Sequence, residues 1–203
     1  MKLSYFYNRV IKLGSERDPR PKSHIDSYAD TAILYGNPDT QIQKILVGID
    51  IEGAELLLAD RIRQQQGLDL VVSHHPEGRA YAALYEVMQL QVDILKKAGI
   101  ARNVAQQLLD ERKQEVERKI LPQNHRRAQD TARILDLPFM CIHTPADNHA
   151  FWFMRKTIES EKPKKLQDIV DILMNIPEYQ EADRIAAGPR IILGNPKRRV
   201  GRV

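Results

Sequence analysis

A chain of 203 residues with 42% hydrophobic and 29% charged side chains has the composition of a globular protein that can bury its own core. No apolar stretch is long enough to span a membrane and the N-terminus lacks an apolar signal core, so we expect a cytoplasmic protein without a membrane partner. The net charge of +4 is compatible with a small anionic substrate. Aromatic residues are not interleaved with a basic stripe, so a nucleic-acid partner is not expected.

Apolar periodicity predicts alternating helices and strands along the chain. Helices are predicted over residues 2–13, 52–66, 80–98, 103–120, 124–135, 147–160 and 166–176. Strands are predicted over residues 31–35, 44–50, 68–73, 139–142 and 191–193. The strand–helix–strand order over residues 44–73 is a βαβ unit, whose strands normally run parallel. We therefore predict a single α/β domain over residues 1–203, with a mixed sheet and flanking helices.

Two adjacent histidines, His74 and His75, directly follow the predicted strand over residues 68–73, and Pro76 ends that strand. Neutral imidazole is the commonest metal ligand in proteins. In α/β sheets, ligands bind beyond the carboxyl ends of the strands. The pair therefore indicates a metal site at the sheet edge. The alternative is that both side chains simply hydrogen-bond backbone groups at the end of the strand.

A second polar segment starts at His143, where the predicted strand over residues 139–142 stops. If both strands belong to one parallel sheet, their carboxyl ends share an edge, and His74, His75, His143 and Asp147 can converge there. Imidazoles with a carboxylate form a suitable ligand set for zinc, manganese, iron or nickel. A carboxylate can also bridge two ions, as in two-metal hydrolytic sites.

Asp147 also has a purely structural interpretation, which the sequence leaves open. Thr144 is a good helix N-cap and Pro145 suits the first helical position. Asp147 then falls at the third helical position, where an acidic side chain completes a start that resembles a capping box.

Other chemically active residues have simpler explanations. His149 is predicted to lie on the first turn of a helix, in a surface or supporting role. His125 fits a helix N-terminus beside a basic face, with anion binding as the alternative, and His24 in a polar loop stays ambiguous. Asp50 could support the site from the same sheet edge, although an exposed turn acid is the simpler interpretation. Cys141 is expected to pack as a small hydrophobic residue, with a nucleophilic role as the alternative.

Three segments taken together resemble the NGG-interacting-factor-three-like family: Ile45–Asp50, Asp69–Pro76 and His143–Asp147. Members of this family are often labelled GTP cyclohydrolase I type 2 homologues or dinuclear metal centre proteins. The resemblance implies an α/β fold of two related halves around a pair of metal ions, commonly assembled as a toroidal homohexamer.

The resemblance also implies roles for individual residues. His74 and His75 fall on metal-binding histidines, and Asp147 falls on the metal-binding, bridging aspartate. His143 falls on the histidine of the same motif, either as a further ligand or as a catalytic group that carries protons. The implied activity is metal-dependent hydrolysis of a nucleotide or related small anion, with two ions of zinc, manganese, iron or nickel. The alternative is a non-catalytic metal-binding protein with an interaction or regulatory role.

Two departures from the family pattern shape our expectations. Residues 101–136 form a long, highly charged helical segment, which indicates an insertion. The family's remaining histidine and glutamate ligands lie near the C-terminus of longer chains. We therefore expect a C-terminally truncated chain, in which the second half of the family fold is incomplete and about half of the site is present.

Overall fold

A computed structural model describes residues 1–20 and 25–201, so His24 lies outside the described residues. The chain divides into two units, Met1–His149 and Ala150–Val203. In chain order, the helices are α1 (Leu3–Glu16), α2 (Gly53–Gln66), α3 (Gly78–Ala82), α4 (Leu84–Val87), α5 (Gln89–Lys97), α6 (Arg102–Ile120) and α7 (Arg127–Ile134). They are followed by α8 (Thr144–Glu161), α9 (Leu166–Leu173) and α10 (Pro177–Asp183).

The first unit is built on a mixed sheet of four strands, β1 (Ala32–Tyr35), β2 (Ile45–Gly48), β3 (Leu70–Ser73) and β4 (Phe139–Cys141). Their order is β1-β4-β3-β2. Strands β2, β3 and β4 run parallel, whereas β1 is antiparallel to β4. The predicted βαβ unit and the α/β class with a mixed sheet are confirmed. Because three strands are parallel, their carboxyl ends share one edge of the sheet.

Helices cover both faces of this sheet. On β3, Val72 packs with Leu3 of α1, and the neighbouring Val71 packs on the other face with Leu56 of α2. Successive side chains of a strand point to opposite faces, so both positions must be apolar when both faces are covered. The continuous apolar run of β3, which is buried throughout, follows from this arrangement.

The single helix predicted over residues 80–98 is wrong, because the segment forms the three short helices α3, α4 and α5. Ala83, between α3 and α4, has φ −90° and ψ 5°, outside the α-helical region. Ala80 packs in the sheet core, whereas Val92 packs with Ala105 of α6. The apolar positions of the segment therefore serve two separate packing partners.

Two predictions for the second unit also need correction. Residues 191–193 do not form the predicted strand, and Ile192 and Leu193 are each 91% exposed. A strand is stable only beside a hydrogen-bonded neighbour, and no strand is assigned between residues 150 and 201. Helix α10 was not predicted; it begins with Pro177 at its first position, a residue that suits helix starts.

Among the described residues, no helix is both long enough and apolar enough to cross a membrane. The cytoplasmic location stays a prediction.

Candidate metal centre

Strands β3 and β4 end side by side and carry the two histidine segments to the same edge. Ser73 lies opposite Cys141, the last residue of β4. The backbone pairing continues beyond the strands, since the Ile142 amide donates to the Ser73 carbonyl over 2.9 Å and the His74 amide donates to Gly48 over 2.8 Å. Backbone hydrogen bonds between neighbouring strands therefore fix the position of the His74 backbone without any contribution from side chains.

The structure brings His74, His143 and Asp147 together at this edge. The rings of His74 and His143 are stacked, with centroids 4.9 Å apart. Asp147 Oδ1 lies 3.5 Å from His74 Nε2, and Asp147 Oδ2 lies 3.6 Å from His143 Nδ1. His75 lies beside this group, with its ring centroid 5.3 Å from that of His74 and 6.2 Å from that of His143.

The spacing of the group fits a metal ion. One potential ligand atom from each of His74, His143 and Asp147 lies within 4.8 Å of the others. Two ligands bound to the same transition-metal ion at about 2.0–2.2 Å are at most about 4.4 Å apart. Small side-chain rotations therefore suffice to place the three ligands around one ion. The side chains are 25%, 22% and 51% exposed, so an ion can reach them from solvent.

The ring nitrogens of His74 and His75 provide a second test of this fit. His74 Nδ1 donates to the carbonyl oxygen of Ile142 over 3.1 Å. His75 Nδ1 donates to Asp50 Oδ1 over 2.6 Å. Because each partner oxygen only accepts, Nδ1 must carry the hydrogen, and Nε2 of each neutral ring then carries the lone pair. Metal-binding histidines commonly have this arrangement.

His143 is held in the same way by a buried carboxylate. Its Nδ1 donates to Asp30 Oδ2 over 2.9 Å, and the Asp30 side chain is fully buried. Burial of the ring disfavours protonation, but the hydrogen bond to Asp30 and the charge of Asp147 outweigh it. The pKa of His143 is therefore raised above its usual value of 6.5.

Asp30 also holds the start of α8. Its Oδ2 accepts hydrogen bonds from the Thr144 hydroxyl over 2.6 Å and from the Thr144 amide over 3.2 Å. A carboxylate at a helix N-terminus satisfies a free amide and interacts favourably with the helix dipole. The prediction that Thr144 is the N-cap is wrong, because its hydroxyl donates to Asp30 and the helix already includes Thr144.

Asp147 lies in the first turn of α8, as the capping interpretation predicted. Its amide donates to the carbonyl of His143 over 3.0 Å, as in a regular helical turn. Its carboxylate lies against the imidazoles of His74 and His143. The helical position of Asp147 therefore places its carboxylate beside the two histidines.

The remaining candidates lie outside this group. His149 Nε2 is 2.9 Å from the carbonyl oxygen of Leu13, which fits the predicted supporting role. The His125 ring makes an edge contact with Tyr81, with centroids 5.5 Å apart. Cys141 is fully buried, and burial raises the pKa of its thiol to about 11, which favours the predicted packing role over the nucleophilic alternative.

Sequence reasoning missed Asp30 and undervalued Asp50. Asp50 is 74% exposed, as expected for a turn acid, yet it hydrogen-bonds His75 and so supports the histidine pair. Asp30 sits in a polar segment just before β1, far from the histidines in the chain. A single acid before an apolar strand carries no local signal, so the sequence alone offered no means of finding it.

The fold and the site define an α/β protein with a histidine and aspartate group at the carboxyl edge of its parallel strands. No family model matches the chain, and no curated protein matches it significantly. Among solved structures, the chain is similar to a NIF3 superfamily protein from Sphaerobacter thermophilus, with a TM-score of 0.77 and 26% sequence identity. The match covers 95% of this chain and 68% of that protein. The chain thus has the NIF3 superfamily fold, and the resemblance to the NGG-interacting-factor-three-like family is confirmed.

Proposed function

We propose that this protein is a metal-dependent hydrolase that acts on a nucleotide or a related small anionic substrate. The supporting observation is the state of the three imidazoles at the sheet edge. Each directs its Nδ1 to an oxygen acceptor, and the Asp147 carboxylate lies 3.5 Å from Nε2 of His74 and 3.6 Å from Nδ1 of His143. For His74, whose Nε2 faces Asp147, this pattern favours metal binding through Nε2 over hydrogen bonding alone.

We assign His74, His143 and Asp147 to one ion, and His75, beside them, to a second. A bound divalent ion would act as a Lewis acid and lower the pKa of a coordinated water toward neutrality. His143 has two possible contributions, as a ligand through Nε2 or as the group that carries a proton to or from solvent. The buried Asp30 holds its ring in place for either one.

The proposed substrate class rests on the family resemblance, and the local charge sets a condition on how such a substrate could bind. Asp50 and Asp147 contact the histidines and place two carboxylates at this edge of the sheet. An anionic substrate would be repelled by this acidic edge unless cations neutralised it. Binding of a nucleotide should therefore depend on metal. The homohexamer implied by the family resemblance stays a prediction.

The test combines metal content with turnover. The protein is stripped with a chelator, loaded with Zn²⁺ or Mn²⁺, and its metal content is measured by mass spectrometry. Nucleotides including GTP are then screened for hydrolysis. His74→Ala should lose metal and turnover, whereas His149→Ala, which alters a histidine outside the group, should keep both.

Two results would contradict the proposal. Stoichiometric metal without turnover on any nucleotide or phosphoester would favour the non-catalytic alternative. The absence of bound metal under every loading condition would contradict both the metal-dependent hydrolase and the non-catalytic metal-binding protein.

A further inference from the structure

We propose that Asp30 is the positioning residue that fixes His143 in its Nδ1–H tautomer and so leaves the lone pair of the neutral ring on Nε2. This inference rests on the proposed function for its purpose, but its geometry concerns only this chain's own side chains. In a neutral imidazole, the partner of one nitrogen determines which nitrogen carries the hydrogen. The partner of Nδ1 here is a fully buried carboxylate, 2.9 Å away.

The contacts of Asp30 leave it little freedom to move. Oδ2 accepts from the His143 ring and from both the hydroxyl and the amide of Thr144. Oδ1 lies 3.4 Å from the Thr31 hydroxyl. A carboxylate with several donors on one oxygen is a strong and directional acceptor. Rotation of Asp30 away from His143 would also leave the first amide of α8 without its partner.

The backbone of His143 is held by the same short segment. Its amide donates to the Thr31 hydroxyl oxygen over 3.1 Å. Asp30 and Thr31 therefore fix the ring and the backbone of His143 separately. This division provides a matched control, because Thr31→Val disturbs the same buried network without touching the ring nitrogens.

The two carboxylates that hydrogen-bond histidine rings, Asp30 and Asp50, differ in their exposure to solvent. Both carboxylates accept from the Nδ1 of a histidine, but Asp50 is 74% exposed and Asp30 is fully buried. Water can replace an exposed acceptor, whereas a buried donor that loses its partner is left unsatisfied. The orientation of His143 should therefore depend on its carboxylate more than that of His75.

The first measurement needs no metal. Long-range ¹H–¹⁵N correlation spectra of the apo protein at about pH 9, where imidazoles are neutral, report which ring nitrogen carries the hydrogen. A His143→Gln variant assigns the His143 signals. We expect the Nδ1–H form in the wild type and in Thr31→Val. In Asp30→Asn and Asp30→Ala, we expect a substantial population of the Nε2–H form.

The second measurement is Zn²⁺ affinity by chelator competition, with circular dichroism to confirm that each variant is folded. Loss of a partner that orients a ligand typically lowers metal affinity about 10- to 100-fold. We expect a loss of that size in Asp30→Asn, a smaller loss in Asp50→Asn, and an affinity close to the wild type in Thr31→Val.

The outcomes separate this inference from the proposed function. An unchanged tautomer in both Asp30 variants, or undiminished Zn²⁺ affinity in Asp30→Asn, would overturn the role of Asp30. If the wild type itself bound no Zn²⁺ while the tautomer still changed in the Asp30 variants, the proposed function would fail and the control of the tautomer by Asp30 would stand.

Discussion

Asp147 Oδ1 lies 3.5 Å from Nε2 of His74, although the two residues follow different strands of the sheet. The parallel pairing of β3 and β4 brings their ends together, and the first turn of α8 then places the carboxylate against the imidazole. If the two side chains share an ion, their contributions to metal affinity must be coupled.

That coupling can be measured with a double-mutant cycle on Zn²⁺ affinity. His74→Ala and Asp147→Asn should each weaken binding by more than about tenfold, since loss of an outer-shell partner alone costs about 10- to 100-fold. The loss of Zn²⁺ affinity in the double variant should be smaller than the product of the two single fold-losses, because the effects of residues that share a partner are not additive. Full additivity would mean that the two residues do not bind the same ion. His125→Ala, outside the group, is the control.

The raised pKa of His143 predicts how the stability of the metal-free protein varies with pH. A histidine whose folded-state pKa exceeds 6.5 stabilises the fold most strongly below pH 6.5. This contribution is lost as the pH rises through the folded-state pKa. Urea unfolding of the metal-free wild type and His143→Gln should therefore show a stability difference that shrinks with rising pH.

Metal binding should respond to pH in the opposite direction, because protons compete with the ion for the imidazole. Zn²⁺ affinity should fall as the solution is acidified through the raised pKa of His143. If the midpoint of the change in Zn²⁺ affinity lay at or below pH 6.5, Asp30 and Asp147 would not favour the protonated His143 ring. The measurement is chelator competition across a pH series at constant ionic strength.

Glu77 should destabilise the fold at alkaline pH. Burial and the charge of Glu52 raise its pKa from 4.5 to about 7, so the folded protein must ionise a half-buried carboxyl above that pH. The Glu77 carboxyl therefore lowers the free energy of unfolding increasingly as the pH rises from 4.5 through 7. Glu77→Gln should raise the melting temperature at about pH 8 and change it little at about pH 5. An equal effect at both pH values would contradict this account.

Cys141 should be inert in the folded protein. It is fully buried and its thiol has a pKa of about 11, so little thiolate forms at neutral pH. A thiol reagent should label it only after denaturation, with kinetics that follow unfolding. Rapid labelling under native conditions would show that the strand opens locally around it. The wild type in urea provides the positive control.

The sequence by itself determined the α/β class, the βαβ unit and the positions of His74 and Asp147, because these depend on local periodicity and on residues beside strand ends. The local sequence pattern gave wrong predictions where the structure of a segment depends on which distant residues it packs against. Residues 191–193 are apolar but gain no neighbouring strand, and residues 80–98 divide among two different packing surfaces.

Only the tertiary structure showed that Asp30 and Asp50 hold the ring nitrogens of His143 and His75. A hydrogen bond between residues far apart in the chain depends on how the elements pack, and it leaves no periodic trace around either partner. The histidines could therefore be found from their neighbours in the chain, whereas the carboxylates that orient them could be found only from their neighbours in space.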